Sequence, residues 1–468
     1  MSNFAATPAA PASGFPAQAA PARSLVSWAL FDWSAQPFYT LVTTFLFAPY
    51  FATVVVGDKV HGQELWGYGA AAAGILIAVG SPFLGALADG RGPRKPWIAM
   101  FALVFVLAQC GLWLAVPGAS NTTIALVLLS FVLASAAAEY SQVFTNAFLP
   151  GLVPQNQLGR LSGAGWAAGY FGGLASLIIM VGLLAVVPGT GKTLFGYEPI
   201  FRLGTGEHDS DRLVGPFAAL WFALFVIPFF LFVPDVKAAP ATSAPQRSAL
   251  SELADTLKSL PGNPSILFFL VARMLYSDGL SAIFAFGGIY GATVFGWGAL
   301  ELGIFGLVLT LTGALGALAG GFLDDKLGSK TVIIGALVLL MVGAIGILSV
   351  DKTHVLYFTE VLAKAAGSKP FSSIGEQVFL AFAVLVGVVS APVQAASRSL
   401  LARLAPPEKV TQYFGLFAFS GKATAFLAPL MVAAVTRASG DPRIGMASIL
   451  VFLIVGALLM LPVKPQRD

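Results

Sequence analysis

A charged turn between two apolar runs occurs twice in this chain, and this repetition constrains the fold more than any other feature. The first copy reads Gly-Ala-Leu-Ala-Asp-Gly-Arg-Gly-Pro-Arg over 85–94, and the second occupies 321–330, 236 positions later. The copies share their glycines and an acid and end on a basic residue, at Gly85, Asp89, Arg91, Gly92 and Arg94 and at Gly321, Asp325, Gly328 and Lys330. About half of the chain separates them, which predicts two halves with the same internal structure.

Apolar segments of membrane-spanning length account for most of the chain. Of the 468 residues, 57% are hydrophobic and 10% are charged, against about 25% charged in soluble domains. A transmembrane helix needs about 20 apolar residues. Twelve segments meet that requirement, at 25–56, 65–88, 96–117, 123–148, 161–188, 214–234, 264–294, 301–323, 331–350, 376–402, 411–437 and 443–462. The sequence therefore predicts an all-α membrane protein with twelve transmembrane helices in two pseudo-symmetric six-helix bundles.

A polar stretch rich in Pro, Ala and Ser separates the sixth segment from the seventh. The predicted organisation is a disordered tail, an N-terminal bundle, a cytoplasmic linker, a C-terminal bundle and a second tail, at 1–23, 24–234, 235–263, 264–462 and 463–468. One short amphipathic helix is expected within the linker, at 248–260. Fifteen of the 26 Lys and Arg residues fall on the side of the N-terminus and nine on the opposite side. This bias predicts that both termini are cytoplasmic, in a multi-pass protein of the bacterial inner (plasma) membrane.

The charge and the cysteine content exclude several classes of function. The net charge of +4 includes no basic block of the kind that binds nucleic acid. A single cysteine, Cys110, and three scattered histidines offer neither a disulfide framework nor a metal site. The chain contains no Gly-x-x-x-x-Gly-Lys-Ser/Thr nucleotide loop and no nucleophile–base motif. We therefore expect no cofactor, no metal, no nucleic-acid partner and no enzymatic activity.

Several motifs in and beside the apolar segments are distinctive enough to compare with known families. They are Trp28-Ala-Leu-Phe-Asp32-Trp33, Asn146-Ala-Phe-Leu-Pro150, Gly169-Tyr-Phe-Gly-Gly173, Ala272-Arg273-Met-Leu-Tyr276-Ser-Asp278-Gly279 and Gln394-Ala-Ala-Ser397-Arg398-Ser-Leu. This set is similar to the unknown major facilitators related to the vacuolar amino-acid effluxers of autophagy, and the resemblance covers nearly all of the chain after the tail. It implies the major facilitator fold and, from the fungal members, a link to amino-acid efflux.

The repeated turn resembles the inter-helix signature of the same superfamily, which is Gly, three residues, Asp, then Gly and Arg or Lys. Asp89 can accept hydrogen bonds from backbone N–H groups at a helix start, while Arg91 and Arg94 stay at the inner surface. Such a turn can latch the inner ends of helices in one transport state. The alternative is that both turns are positively charged anchors without a gating role.

Five ionisable residues lie at membrane depth, away from the ends of the predicted spans, where such groups are costly and usually functional: Asp32, Glu139, Arg273, Asp278 and Lys422. Polar residues at helical spacing extend them into stripes. The stripes are Asp32, Gln36 and Tyr39 in the first span, Glu139 and Gln142 in the fourth, Arg273 and Tyr276 in the seventh, and Gln394 with Arg398 in the tenth. In a major facilitator fold these four helices line the central cavity.

The residue types suggest two roles in that cavity. Arg273 and Lys422 suit a substrate carboxylate, Arg273 through a two-pronged bond. Other polar or aromatic side chains complete the predicted substrate site: Gln36, Tyr39, Gln142, Tyr276 and Gln394. The predicted proton carriers are Asp32, Glu139 and Asp278, since an acid in a low-dielectric cavity can exchange a proton near neutral pH.

The alternative for these charges is a set of structural ion pairs. Asp32 and Arg273 would then pair across the two halves in the empty protein. The stripe of Glu139 contains no base, which favours a role as proton carrier. Arg160 and Arg398 fall near the inner ends of their spans and can reach the lipid headgroups instead.

The leading interpretation is a secondary active transporter that moves a small polar solute, amino-acid-like, by alternating access with proton coupling. A zwitterion needs one base and one acid close together, and this interior supplies both. Uptake of a sugar or peptide, efflux of toxic compounds and sodium coupling are open alternatives. A non-transporting membrane scaffold or sensor is the rival class, although it has no use for charges in a cavity. The expected partners are a small solute, protons and the lipid bilayer, around a monomeric protein.

Overall fold

The computed structural model describes residues 15–89, 92–186, 190–200, 208–235, 248–365 and 368–464. Within them, eleven helices are long and apolar enough to cross a membrane. They are α1 Ala22–Val55, α2 Lys59–Asp89, α3 Lys95–Leu114, α4 Asn121–Leu152, α5 Gln155–Leu184, α6 Asp209–Phe232, α7 Pro264–Phe295, α8 Leu300–Leu327, α9 Ser329–Leu348, α10 Ile374–Leu404 and α13 Pro442–Met460. The protein is therefore the helical membrane protein that the sequence predicts.

The predicted span at 411–437 is not one continuous helix. It consists of α11 Val410–Ser420 and α12 Leu427–Ser439, and residues 421–426 between them form tight turns. Pro429 lies in the first turn of α12 and has no N–H to donate to the carbonyl of Ala425, so the helical ladder is interrupted there. A helix break at membrane depth must be covered by protein or line a cavity.

A proline also interrupts the hydrogen-bond ladder of α1. Pro37 has no N–H for the carbonyl of Trp33, and the indole N–H of Trp221 in α6 donates to that carbonyl at 3.2 Å instead. The helix then continues as a π-helix over Phe38–Phe45 and again over Phe51–Val55. Such wide turns are frequent at functional sites, and this one carries Tyr39.

The segments outside the bundles are short. A helix at Ala249–Ser259, capped by Ser248, lies where an amphipathic linker helix is predicted. Two short strands, β1 His354–Val355 and β2 Thr359–Glu360, form an antiparallel pair between α9 and α10. The structure also places Ala22, predicted to lie in the tail, at the start of α1. The predicted segments at 1–14, 236–247 and 465–468 lie outside the described residues.

The two halves meet through glycines near the charged turns. A Cβ atom on Gly163 of α5 would overlap the carbonyl oxygen of Ala317 in α8. A Cβ atom on Gly415 of α11 would overlap the carbonyl oxygen of Ser81 in α2. These helix pairs approach so closely that only glycine fits, as is common where membrane helices pack.

We expect Gly163→Ala to weaken this contact between the halves. The added methyl group meets backbone atoms that cannot rotate away, and overpacking of this kind costs about 1–3 kcal/mol. Gly335→Ala in α9 is the matched control, because a Cβ atom there would meet no neighbouring side chain or helix within 4 Å. Thermal unfolding of the purified protein should show a lower melting temperature for Gly163→Ala alone. Equal melting temperatures for the two variants would contradict the close packing.

Candidate functional site

A cavity of about 380 Å³ lies between the two halves of the protein. Helices α1, α4 and α5 contribute one wall, and α7, α10 and α11 with the turn after it contribute the other. All seven predicted substrate-binding residues line it, together with two of the three predicted proton carriers: Gln36, Tyr39, Gln142, Arg273, Tyr276, Gln394 and Lys422, and Asp32 and Glu139. Asp278 is the predicted residue that does not line this cavity.

One wall of the cavity is fixed by an ion pair that joins the two halves. Arg398 Nη1 lies 2.9 Å from Asp32 Oδ2, and the side chains of this arginine and this aspartate are 4% and 13% exposed. The prediction that Asp32 pairs with Arg273 is therefore wrong, as is the prediction that Arg398 reaches the headgroups. Arg398 belongs to the same helical stripe as Gln394, and that spacing was the signal that it faces inward.

Further hydrogen bonds hold both members of this ion pair in place. Arg398 donates from Nε to Ser162 Oγ at 2.9 Å and from Nη1 to Asn146 Oδ1 at 3.2 Å. Gln142 Nε2 donates to Asp32 Oδ1 at 2.9 Å. The guanidinium and the carboxylate are thus satisfied on several sides, as buried charges require.

A second, more exposed ion pair faces the cavity. Lys422 Nζ lies 3.3 Å from Glu139 Oε1, and the side chains are 36% and 22% exposed. The helix of Glu139 offers no base, as predicted from its stripe, but the broken segment after α11 supplies one from the opposite half. This contact depends on the turn at 421–426, which the sequence pattern did not reveal.

Arg273 is held without a carboxylate partner. Its Nη1 donates to Ser420 Oγ at 2.7 Å and also to the carbonyl oxygen of Phe417. The guanidinium carbon lies 3.4 Å from the centre of the Phe417 ring, which is a cation–π contact. Among the described residues, no acid lies within ion-pair distance of Arg273. A guanidinium has five N–H donors, so part of this group is available to a ligand in the cavity.

Tyr276 and Asp278 follow Arg273 on α7 but point to different surroundings. The Tyr276 hydroxyl shares a hydrogen bond of 2.7 Å with Ser397 of α10 at the cavity wall. Asp278 is only 1% exposed, and neither of its carboxylate oxygens has a hydrogen-bond partner in the described part of the chain. Asp278 is therefore a buried acid outside the cavity.

The acidic residues of the two charged turns accept hydrogen bonds from the backbone of the opposite half. Asp89 accepts from the backbone N–H groups of Thr411 and Gln412, at 3.2 and 2.8 Å, at the start of α11. Asp325 accepts from the N–H groups of Gly159 and Arg160, at 2.7 and 3.1 Å, in the first turns of α5. Each carboxylate thus meets the positive end of a helix in the opposite half.

The described basic residues of the turns contact their own half, and the glycines allow sharp turns or close approach. Arg94 lies 3.5 Å from Asp89 and donates to the carbonyl oxygen of Ala147 at 2.9 Å, and Lys330 donates to that of Leu461 at 2.6 Å. Gly92 and Gly328 share a positive φ, at 88° and 85°, which other residues rarely adopt. Gly85 and Gly321 allow a close approach of the two halves. At each position a Cβ atom would lie 2.6 Å from a backbone carbonyl oxygen of the other half. Arg91 lies outside the described residues.

Two contacts at this end were not anticipated. Asp324, next to Asp325, is 1% exposed and lies 2.6 Å from Arg403 of α10. Arg160 pairs with Asp325 at 2.8 Å although its side chain is 57% exposed, so it does not simply reach the headgroups. The doubled acid at 324–325 was the sequence signal for a second partner.

Comparison with known proteins agrees with this architecture. The sequence model of the family described as "Vacuole effluxer Atg22 like" matches residues 51–468. The Uncharacterized MFS-type transporter YxiO of Bacillus subtilis is 23% identical over 440 residues, which are 93% of this chain and 93% of YxiO. Autophagy-related protein 22 of Cryptococcus neoformans is 26% identical over 304 residues, or 63% of this chain. The match spans 48% of that fungal protein.

Solved structures show the same fold at low sequence identity. The human organic anion transporter MFSD10 has a TM-score of 0.67 at 16% identity, with 94% of this chain and 99% of that chain covered. The major facilitator superfamily transporter FucP, in the outward conformation, has a TM-score of 0.64 at 13% identity, with 95% and 99% covered. These likenesses show the major facilitator fold. The match of the family model over 51–468 shows that the chain belongs to the Atg22-like family of major facilitator transporters.

Proposed function

We propose that this transporter is a secondary active carrier for a small polar solute, amino-acid-like, that works by alternating access with proton coupling. The observation that carries the proposal is the unpaired Arg273 guanidinium in the same cavity as the Glu139–Lys422 ion pair. An amino acid brings one carboxylate and one ammonium group. Arg273 suits the carboxylate through a two-pronged bond, and Glu139 suits the ammonium group.

Proton coupling is most readily assigned to Glu139. Its partner Lys422 is replaceable, because a solute ammonium group can take the place of the lysine beside the carboxylate. Asp32 is less free to take up a proton, since it is held by Arg398 and Gln142. We therefore propose Glu139 as the carrier and Asp32 as a residue that joins the halves until it is protonated or displaced.

The contacts of the charged turns support a gate at one end of the cavity. With the N-terminus in the cytoplasm, these contacts join the halves at the cytoplasmic end of the cavity. Opening that end requires Asp89 and Asp325 to release the helix starts of the opposite half. An anchor without a gating role would not need acids that bond across the two halves.

Other solutes and roles fit the cavity less well. A sugar or an apolar toxic compound would leave Arg273 without a counter-ion. A scaffold or sensor would have no use for the exposed Glu139–Lys422 pair. We propose that the protein is a monomer in the bacterial inner membrane. The description of the family as "Vacuole effluxer Atg22 like" supports a role in transport.

Arg273 can be tested by ligand binding. The purified protein can be screened with amino acids, matched amines and matched carboxylates. Only compounds that carry both an ammonium and a carboxylate group should raise its melting temperature. Arg273→Lys keeps the charge but loses the planar fork, so we expect binding to weaken about tenfold or more. Arg437→Lys, at an exposed position of α12, is the control. Amino-acid binding that Arg273→Lys leaves unchanged would show that this arginine does not hold the carboxylate.

Glu139 can be tested by separating exchange from accumulation. In proteoliposomes, Glu139→Gln should retain counterflow of the solute, because exchange needs no net proton movement. Accumulation driven by a pH gradient should fall to the level of protein-free vesicles. Gradient-driven accumulation at the native rate in this variant would assign the proton to another group.

The gate can be tested with Asp89→Asn and Asp325→Asn. Each variant loses the charge that attracts a helix start, so transport should slow several-fold while the melting temperature changes little. Glu360→Gln in β2, exposed and remote from the turns, is the control. Native transport rates in both variants, at equal abundance, would mean that the turns are anchors only.

A further inference from the structure

The charges buried in the membrane core do not all have partners. Arg398 pairs with Asp32, and Lys422 pairs with Glu139. Arg273 and Asp278 are left over, and within the described residues neither has an ion-pair partner. They lie five residues apart on α7, about 140° around the helix, so the guanidinium faces the cavity and the carboxylate does not.

The surroundings of Asp278 are unusual for an acid. Both carboxylate oxygens lack a hydrogen bond, although the residue is 1% exposed. The Thr424 hydroxyl interacts with this carboxylate, but its oxygen is also buried and makes no hydrogen bond of normal geometry. The neighbouring Gly279 packs on Phe452 and Leu453 of α13, which are apolar. An uncompensated carboxylate in such a place is costly.

The helix break next to Thr424 leaves a backbone carbonyl oxygen without its helical N–H donor. Thr424 lies in the turns at 421–426, and Pro429 offers no N–H to the carbonyl of Ala425. Interrupted membrane helices with free carbonyls are a recurrent way to coordinate Na⁺. Carboxylate, hydroxyl and carbonyl oxygens are the ligands that hard cations prefer.

We propose that Asp278, Thr424 and the backbone of 421–426 form a binding site for Na⁺. A cation bound by both groups would compensate the buried carboxylate and the buried hydroxyl at the same time. The nearby cations do not fill the site, because Arg273 is held by Phe417 and Ser420 and Lys422 points to Glu139.

The same break connects this site to the cavity. A Cβ atom on Gly421 would lie 2.9 Å from Arg273 Nη1, and Thr424 interacts with Asp278. Both leftover charges therefore contact the same short segment. Na⁺ neutralises Asp278 and a solute carboxylate neutralises Arg273. We infer that the two ligands stabilise one conformation of 421–426 and therefore bind cooperatively, a step that rests on the proposed function.

The Na⁺ site can be tested on the purified full-length protein without any solute. NaCl should raise the melting temperature in a saturable way, and choline chloride or KCl at equal ionic strength should not. Asp278→Asn should abolish the effect. Thr424→Val should weaken the apparent Na⁺ affinity by about tenfold, the loss of one ligand worth about 1.4 kcal/mol. Thr293 is an exposed residue of α7, the helix that carries Asp278. The control variant Thr293→Val should therefore respond to Na⁺ as the native protein does.

Two results would overturn the site. One is an absence of Na⁺-specific stabilisation in the native protein, including the case in which only pH changes its stability. The other is an unchanged Na⁺ response in Thr424→Val, which decides the matter even if Asp278→Asn does not fold.

The cooperativity is a separate measurement. Amino-acid binding by calorimetry should be several-fold tighter in NaCl than in choline chloride, and Thr424→Val should reduce that difference. Equal affinity in both salts would overturn the coupling and leave the proposed function intact. Na⁺ stabilisation without any amino-acid binding would support the cation site and contradict the proposed solute.

Discussion

The ion pair between Asp32 and Arg398 is the buried charged contact that joins the two walls of this cavity. Removing a carboxylate and a guanidinium from water costs on the order of several kcal/mol per ion, and only dense hydrogen bonding offsets that cost. Here Asn146, Ser162 and Gln142 supply it. Because Asp32 and Arg398 belong to different halves, any movement that separates the halves must first expose or neutralise both charges. The pair therefore links the chemistry of the cavity to the conformation of the whole protein.

Interrupted helices place the functional groups around that ion pair. In α1, Pro37 frees the carbonyl of Trp33, Trp221 satisfies it, and the following π-helical turns carry Tyr39 to the cavity. Between α11 and α12, the break turns Lys422 toward Glu139. Irregular backbone is costly in a membrane unless protein covers it. Both irregular segments lie where polar side chains of the cavity need an orientation that a regular helix does not provide.

Much of the fold follows from local pattern, and less of the site does. Apolar length predicted the spans, and helical spacing correctly grouped Gln36, Gln142 and Gln394 on one cavity. The partner of each charge was harder to predict, since Asp32 and Arg398 are 366 positions apart. Spacing within one helix says which way a side chain faces but says nothing about the rotation and height of the helix opposite. The expected Asp32–Arg273 pair was wrong for that reason.

The sequence by itself determined that the chain is a duplicated membrane bundle, because the apolar runs and the repeated turn are local features that any packing must respect. It also determined which residues would be costly to bury. Only the tertiary structure decided how those costs are met, since contacts such as Asp89 with the start of α11 depend on helices brought together across the whole chain. The break at 421–426 was likewise decided by the tertiary structure. One proline weakens the helix locally, but packing decides whether the chain kinks or breaks. The surroundings of Asp278, and its lack of an ion-pair partner among the described residues, follow from that packing.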